Sequence, residues 1–442
     1  MTYRSFTSSK KLLTILIGRY NLKPKPGEDA TDSWLNTVKK PVQLRVFNVL
    51  KNWLLHGFYD FADSPKLSAQ FLQFITEDMS ADLSNAAASL RKVYDRQMAE
   101  KEKRTFVLSK KPPKPILPKT MPDTFNILDF NAEEIARQLT LIESDLYRAI
   151  KPWEFLNQAW AKKDKEKRAP RVIAMINRFN QVSNWVASTV LRTETLRTRI
   201  QVLKHLIEIA SKALALNNFN AVTEIISGLH TSSVYRLKQT WGAIGSKHTK
   251  MLEDCQHIMN RDQNYKNFRS YLHSVDPPVI PYLGVYLTDL TFIEDGNKDY
   301  LSGRLINFVK RQHVSHVIRE IQQYQNDLYA LEPVSVLQQW LRNITYFEED
   351  QMFDISLQLE ARGGKLKKSK TGKKDTPEYP HTFSIYGELE DIPGFLFYEP
   401  DTKKNIELIA GIEQKHVYVS AGTLPKLVER LTYETYPGSY FK

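Results

Sequence analysis

PPVIPYLGVYLTDLTFIEDGNKDYLSGRLINFVKRQHVSHVIREIQQYQN, Pro277 to Asn326, reads as two helices joined by a polar turn. The first arm follows Pro281, whose fixed backbone suits a first helical turn. The turn is DGNKD, Asp295 to Asp299, rich in residues that leave helical geometry cheaply. The second arm repeats Val314, Val317, Ile318 and Ile321 on one face of a 3.6-residue period. Thr291 and Asp295, four residues apart, share a face near the end of the first arm. A hairpin ending in a small polar residue and a carboxylate suits a wedge that enters another protein's anion or metal site. From periodicity alone the competing reading is an ordinary antiparallel helix pair within a helical core.

The 442-residue chain is long enough for two or three domains, and 42% hydrophobic residues with 11% aromatic are those of a folded soluble protein. Its apolar runs fall short of the roughly 18–20 residues that span a bilayer. KKLLTILIG, Lys10 to Gly18, is not followed by the small-residue site of a secretory signal, so a cytoplasmic protein is expected. Cys255 is the single cysteine; it permits no internal disulfide and reads as a helix-packing residue. A formal charge of +12 favours an acidic partner, but part of it is concentrated in KLKKSKTGKK, Lys365 to Lys374, which reads as a basic linker.

Residues 1–100 read as a helical bundle. Leu12, Leu13, Ile15, Leu16 and Ile17 form one apolar segment, and Leu44, Phe47, Leu50 and Leu54 form the expected stripe of a second. Three or so helices with wide apolar faces need a further wall to bury them. Residues 101–124 are rich in proline and lysine and read as a stiff spacer, with docking of PPKPILP on an aromatic groove as the rival use. Residues 125–362 carry successive helical periods without an alternating strand pattern, the mark of a large all-α domain. Asn220 is the expected cap of the helix ending at Leu229. Residues 363–378 are the basic linker. Within 379–442, short β-like runs precede a helix that Thr423 caps, with Leu427, Val428 and Leu431 on one face.

The sequence lacks a Walker loop, a GxGxxG after a strand, HExxH and a GxSxG elbow. Its ten histidines show no metal-ligand spacing, and His313 and His316 are expected to face solvent. Function is expected in a surface, without covalent chemistry and without a cofactor or metal. A nucleic-acid role has charge in its favour but no pattern of interleaved aromatic and basic residues.

Four stretches carry a resemblance: ARQLTLIESDLYRAIKPWEFLNQAW (Ala136 to Trp160), LNNFNAVTEIISGLHTSSVYRL (Leu216 to Leu237), DPPVIPYLGVYLTDLTFIEDGN (Asp276 to Asn297) and INFVKRQHVSHVIREIQQYQN (Ile306 to Asn326). They closely resemble the catalytic domain of Ras-family guanine-nucleotide exchange factors of the Son-of-sevenless type. TYRSFTSSKKLLTILIGRYN (Thr2 to Asn21) and KPVQLRVFNVLKNWLLHGFYDF (Lys40 to Phe61) resemble the helical Ras-exchanger-motif domain that accompanies it. The resemblance implies an all-α fold of two helical domains and a Ras-like small GTPase as partner. The hairpin is then a wedge between the GTPase's switch loops, with Thr291, Asp295 and Asn297 as the working positions. The carboxylate matching Asp295 competes with nucleotide phosphates for the phosphate-loop lysine, and Thr291 matches the position at the Mg²⁺ site. The Son-of-sevenless type has leucine and glutamate where this chain has Thr291 and Asp295, so a weakly exchanging scaffold of the same fold is the alternative. The resemblance further places a GTPase-binding cup at Ile176, Thr223, Leu229, Tyr235, Tyr265 and Tyr282, with polar contacts at Asn177, Asn180, Ser227, His230 and Arg236. From the residues alone the three tyrosines read equally as core aromatics.

In that family a segment like AGTLPKLVERLTY leads directly into one like TYRSFT; here the first lies at Ala421 to Tyr433 and the second at Thr2 to Thr7. The order is therefore read as circularly permuted. A fold-back within one chain, a mis-assembled gene and a swapped dimer are the competing accounts, and Leu427, Val428 and Leu431 are expected to pack on helices of the first ninety residues. The basic linker is also expected to attract an anionic membrane surface.

Overall fold

Several helices in the computed structural model, which describes residues 2–102, 111–301, 304–361, 405–410 and 417–432, begin where a side chain caps the first turn, and others begin without one. Helix α1 (Ser9–Tyr20) follows Ser8, whose hydroxyl accepts the Lys11 N–H. Helix α2 (Lys40–His56) has Pro41 in its first turn and stops at Gly57. Helix α3 (Pro65–Phe74) is capped by Ser64, and α4 (Ser84–Glu102) closes the first bundle. The expected stripe on α2 holds at Leu50 and Leu54, which are fully buried, and at half-buried Phe47, but not at Leu44. Leu44 is 48% exposed, while Val42 and Val46, two residues to either side and so on the far side of the helix, are buried with Leu50 and Leu54. Buried Asp60 ties the chain start to this bundle: Trp53 Nε1 donates to it at 2.7 Å, and Tyr3 and Arg4 donate as well.

The second unit contains α5 (Ala132–Ala149), α6 (Pro170–Leu191), α7 (Leu196–Ala215), α8 (Phe219–Leu229), α9 (Gly245–Ile258), α10 (Leu283–Gly296), β1 (Ile306–Asn307), α11 (Phe308–Gln323), α12 (Ser335–Arg342) and α13 (Glu349–Leu359). Helix α8 is the centre of it, with Phe219, Val222 and Ile225 fully buried. Its cap is Asn218, which accepts the Ala221 N–H; Asn220, the expected cap, instead points its amide at Glu143 and Glu224 inside the core. Helix α8 approaches α6 so closely that a Cβ on Gly228 would lie 2.4 Å from the Ser183 carbonyl oxygen, so only glycine fits. Cys255 is buried, and His313 and His316 are exposed. The proline stretch carries no helix from 111 to 126 and lies on its own domain, the Ile116 N–H donating to Glu134 and Arg137 donating to the Lys114 carbonyl.

Two expectations on the hairpin change. Helix α10 runs through Asp295 to Gly296, so Asp295 belongs to the last helical turn rather than to the connection. The connection then returns through β1, a strand that the helical reading of 125–362 did not include. Two residues are too few to show an alternating period, and the partner is over a hundred positions away. Strands β2 (Ile406–Ala410) and β3 (Val417–Gly422) complete an antiparallel sheet of order β1-β3-β2, with Ile306 opposite Gly422 and Asn307 opposite Ala421.

Helix α14 (Leu424–Leu431) follows β3, with Thr423 at its cap position. Val428 is buried in the core of the first bundle, beside the α1 and α2 side chains. Leu427 joins Ile306, Ile406 and Val419, against Phe6 and Phe308. Leu431 lines a groove with Tyr3, Leu12 and Trp53. Arg19 Nε donates to Thr432 Oγ1 at 3.1 Å. The late helix thus packs on the first bundle, and the strand that precedes it pairs with β1 at the base of the hairpin. The β-like runs between 381 and 400, the basic linker and the tail from 433 lie outside the described residues.

Candidate functional site: the helical hairpin and its aromatic cup

Hairpin geometry is set by burial on one side and ion pairs at the tip. On α10, Leu283, Val285, Tyr286 and Leu290 are buried; on α11, Val314, Ile318 and Ile321 are buried and Val317 is half-buried. Tyr286 bridges the arms by donating to Glu320 at 3.1 Å. At the tip, Lys310, with only 3% of its side chain exposed, pairs with Glu294 at 2.6 Å and Asp299 at 2.9 Å, and Arg311 pairs with Asp299 at 2.7 Å. Burial works to raise the Asp299 carboxyl, but the Lys310 hydrogen bond and the two positive charges outweigh it and hold it below the ordinary aspartate range. Asn307 accepts the Lys310 N–H as cap of α11 and donates to the Lys298 carbonyl. A tip fixed in this way can be pushed against a partner without collapsing.

Asp295 is exposed, and Gln158 Nε2 donates to its Oδ1 at 2.8 Å. Gln158 was not among the sequence-derived candidates, because it lies 137 positions away in a stretch that reads as helix. Two left-handed residues in succession, Asn157 (φ 54°) and Gln158 (φ 53°), break that stretch and aim the amide at the hairpin. Thr291 is half-buried and donates its hydroxyl to the Leu287 carbonyl at 2.8 Å, while Asn297 donates to the Ile293 carbonyl at 2.9 Å. Both therefore face their own helix, and Asp295 is the one of the three whose polar group faces outward. Arg4 lies 4.8 Å over Trp153, and Tyr59 packs on the same ring at a 49° tilt with centroids 4.6 Å apart, so the first bundle touches the segment that carries Gln158.

Beside the hairpin, Tyr282 and Tyr265 face each other with ring centroids 6.1 Å apart, and Phe179 flanks Tyr282 at 5.4 Å. Burial, with the neighbouring Tyr265, raises the Tyr282 phenol. A Cβ on Gly284 would sit 2.4 Å from the Tyr282 ring, so this glycine makes room for it. Tyr265 is held at φ 58°, a costly backbone for an aromatic residue. Asp289 of α10 supports it, accepting two bonds of 2.8 Å from Arg269 and one of 3.2 Å from Asn264. Hairpin and cup are therefore one mechanical unit.

The remaining candidates divide by exposure. Ile176 and Ser227 are half-buried, and Asn177 and Asn180 are exposed on the same α6 surface. Tyr235 is 58% exposed, with Lys238 Nζ 4.2 Å above its ring. His230 takes a hydrogen bond from Gln256 at 2.7 Å, and burial, then Arg261, hold its pKa below the ordinary histidine value. Thr223 (8% exposed) and Leu229 (fully buried) are core residues and do not present a surface to a partner. Arg236 faces inward, donating to Ser356 O, Ser356 Oγ and Glu360 O at 2.6, 2.9 and 2.6 Å, and thereby holds α13 in place. Among the described residues, no cluster is suited to a metal ion and no helix is long and apolar enough to cross a membrane.

The hairpin thus presents the Asp295 carboxylate on an ion-paired tip, with the half-buried Tyr265 and Tyr282 rings beside its first arm. Residues 134–312 match the RasGEF domain and residues 1–74 match the RasGEF N-terminal motif, so the chain belongs to the RasGEF family. It is 38% identical to Ras guanine nucleotide exchange factor J of Dictyostelium discoideum, an alignment covering 82% of this chain and 45% of that protein. It is 40% identical to factor A of the same organism, over 78% of this chain and 56% of that one. Protein son of sevenless of Drosophila melanogaster is 32% identical over 86% of this chain and 26% of its own. The chain thus spans about half or less of the length of these relatives.

Proposed function

We propose that this chain promotes GDP release from a Ras-like small GTPase by inserting the α10 hairpin between its switch loops, with 125–362 as the exchange domain and 1–100 plus the late helix as its support. The observation that carries this reading is the outward Asp295 carboxylate on an ion-paired, rigid tip, one helix from the Tyr265–Tyr282 cup. In the proposed complex the cup and the α6 surface at Ile176, Asn177 and Asn180 take an apolar switch residue, and Tyr235 forms part of the rim. Asp295 then offers its charge to the phosphate-loop lysine in competition with the nucleotide phosphates. Thr291 and Asn297 keep the end of α10 helical beneath it. Nucleotide and exchanger disfavour each other reciprocally, so returning nucleotide expels the exchanger. No covalent step is involved. We further propose a cytoplasmic protein drawn to anionic membrane by Lys365–Lys374, at about 1 kcal/mol per well-placed lysine.

Labelled-GDP release from Ras-, Rap- and Ral-type GTPases tests the reading. Acceleration of at least one is expected. Asp295→Ala is expected to lower the maximal rate and Tyr282→Ala to weaken association. Absence of acceleration across the panel contradicts it.

A further inference from the structure

Thr288, Phe292, Asp295 and Gly296 recur along α10 at steps of four, three and one residues and so share one face of the helix. All four are exposed, whereas Thr291 is half-buried and bonded to its own backbone. At the centre of this open face is Phe292, 68% exposed. Its exposure is built in: Glu294 and Lys310 lock the tip on the other side, and Asp289 is committed to Arg269 and Asn264. An aromatic ring held in water next to a carboxylate is an apolar anchor without its pocket.

We propose that Phe292 is a specificity-determining residue of the hairpin, packing on an apolar patch of the GTPase adjacent to the charged site that Asp295 enters. This rests on the exchange reading above. The physical grounds are the shared face with Asp295 and the direction of approach: a wedge cannot bring Asp295 against a partner without also covering Phe292. Covering the ring expels water from around the carboxylate, which strengthens the contact of Asp295 with a lysine. The same contact selects among GTPases. A partner with an apolar side chain at this place is favoured, and one with a charge there must desolvate it against a phenyl ring.

The full chain and its Phe292→Ala, Phe292→Leu and Asp295→Ala variants are to be compared by labelled-GDP release at increasing exchanger concentration, with thermal midpoints and sedimentation measured alongside. Phe292→Ala is expected to raise the half-maximal concentration about 10- to 30-fold, as truncation of an aromatic interface anchor does. Phe292→Leu, which keeps an apolar group, is expected to recover most of that loss. The Phe292→Ala midpoint is expected not to fall, since among the described residues the ring is 68% exposed. Wild-type behaviour of Phe292→Ala beside an impaired Asp295→Ala overturns the inference and leaves the exchange reading standing. Absence of release by the unmodified chain overturns both. A dimer that Phe292→Ala dissociates with release unchanged assigns the ring to a second copy and also overturns it.

Discussion

Replacing Val428 by alanine probes whether a helix from the far end of the chain is part of the first bundle's core. Val428 is 3% exposed and packs in the same cluster as Leu13, Leu16, Val46 and Leu50. The change removes two methyl groups from water-free surroundings, about 1.6 kcal/mol by transfer, and leaves a small cavity, for a total of about 2 kcal/mol. That corresponds to about a 30-fold increase in the local opening equilibrium. Amide hydrogen exchange followed by mass spectrometry reads it directly: protected amides of α1 and α2 are expected to exchange about 30-fold faster, with α6 and α7 unchanged. Thr432→Val removes the acceptor of the Arg19 bond and is expected to act in the same direction by about 1–2 kcal/mol. If α1 and α2 exchange at the unmodified rate while only α14 itself loosens, the late helix rests on the bundle without completing it, and the reasoning fails.

Four further outcomes follow from polar groups of the core and the hairpin. Burial, and then the Glu143 charge, push the Glu224 carboxyl well above the ordinary glutamate range, so the fold favours its protonated form and loses stability as pH rises through the folded value. Glu224→Gln should flatten that dependence of the thermal midpoint, and an equal loss at all pH values contradicts this. Lys310→Met leaves Glu294 without its ion partner, should cost about 3 kcal/mol, and should speed amide exchange at the end of α10; unchanged protection there rules it out. As pH falls through the depressed Asp299 value, the tip should loosen as well, since a lowered carboxylate stabilises only while ionised. Arg236→Ala should free α13, at about 2–3 kcal/mol for the lost charged donors, seen as protease cleavage within Glu349–Leu359; resistance to cleavage means that the helix holds by packing alone.

Helix existence was legible because apolar residues recur at the helical period, and the second arm of the hairpin, with Val314, Ile318 and Ile321 inside, shows it. Phase was less so. Leu44 belongs to an apolar run on both faces of α2, and which face goes inside depends on partners distant in sequence. Long-range pairings were not legible: β1 is recognisable only by its β3 partner, and Gln158 reaches Asp295 only because two residues take left-handed backbone. The candidate site was found by motif, and the structure redistributes it. Asp295, Tyr235, Asn177 and Asn180 face outward, Tyr265 and Tyr282 form a cup, and Leu229 and Arg236 turn inward. Phe292 carries no signal in the sequence, where an aromatic residue on a helix reads as core, and only its exposure marks it.

The central claim, that the hairpin and a bound nucleotide compete for one place on a GTPase, is tested most directly by complex formation. A Ras-type GTPase stripped of nucleotide is mixed with the full chain, and the complex is followed by size-exclusion chromatography before and after addition of GDP with Mg²⁺. A complex that forms without nucleotide and dissociates when GDP is added is the expected result. A complex indifferent to nucleotide, or one that forms only with the GTP-loaded protein, contradicts the account.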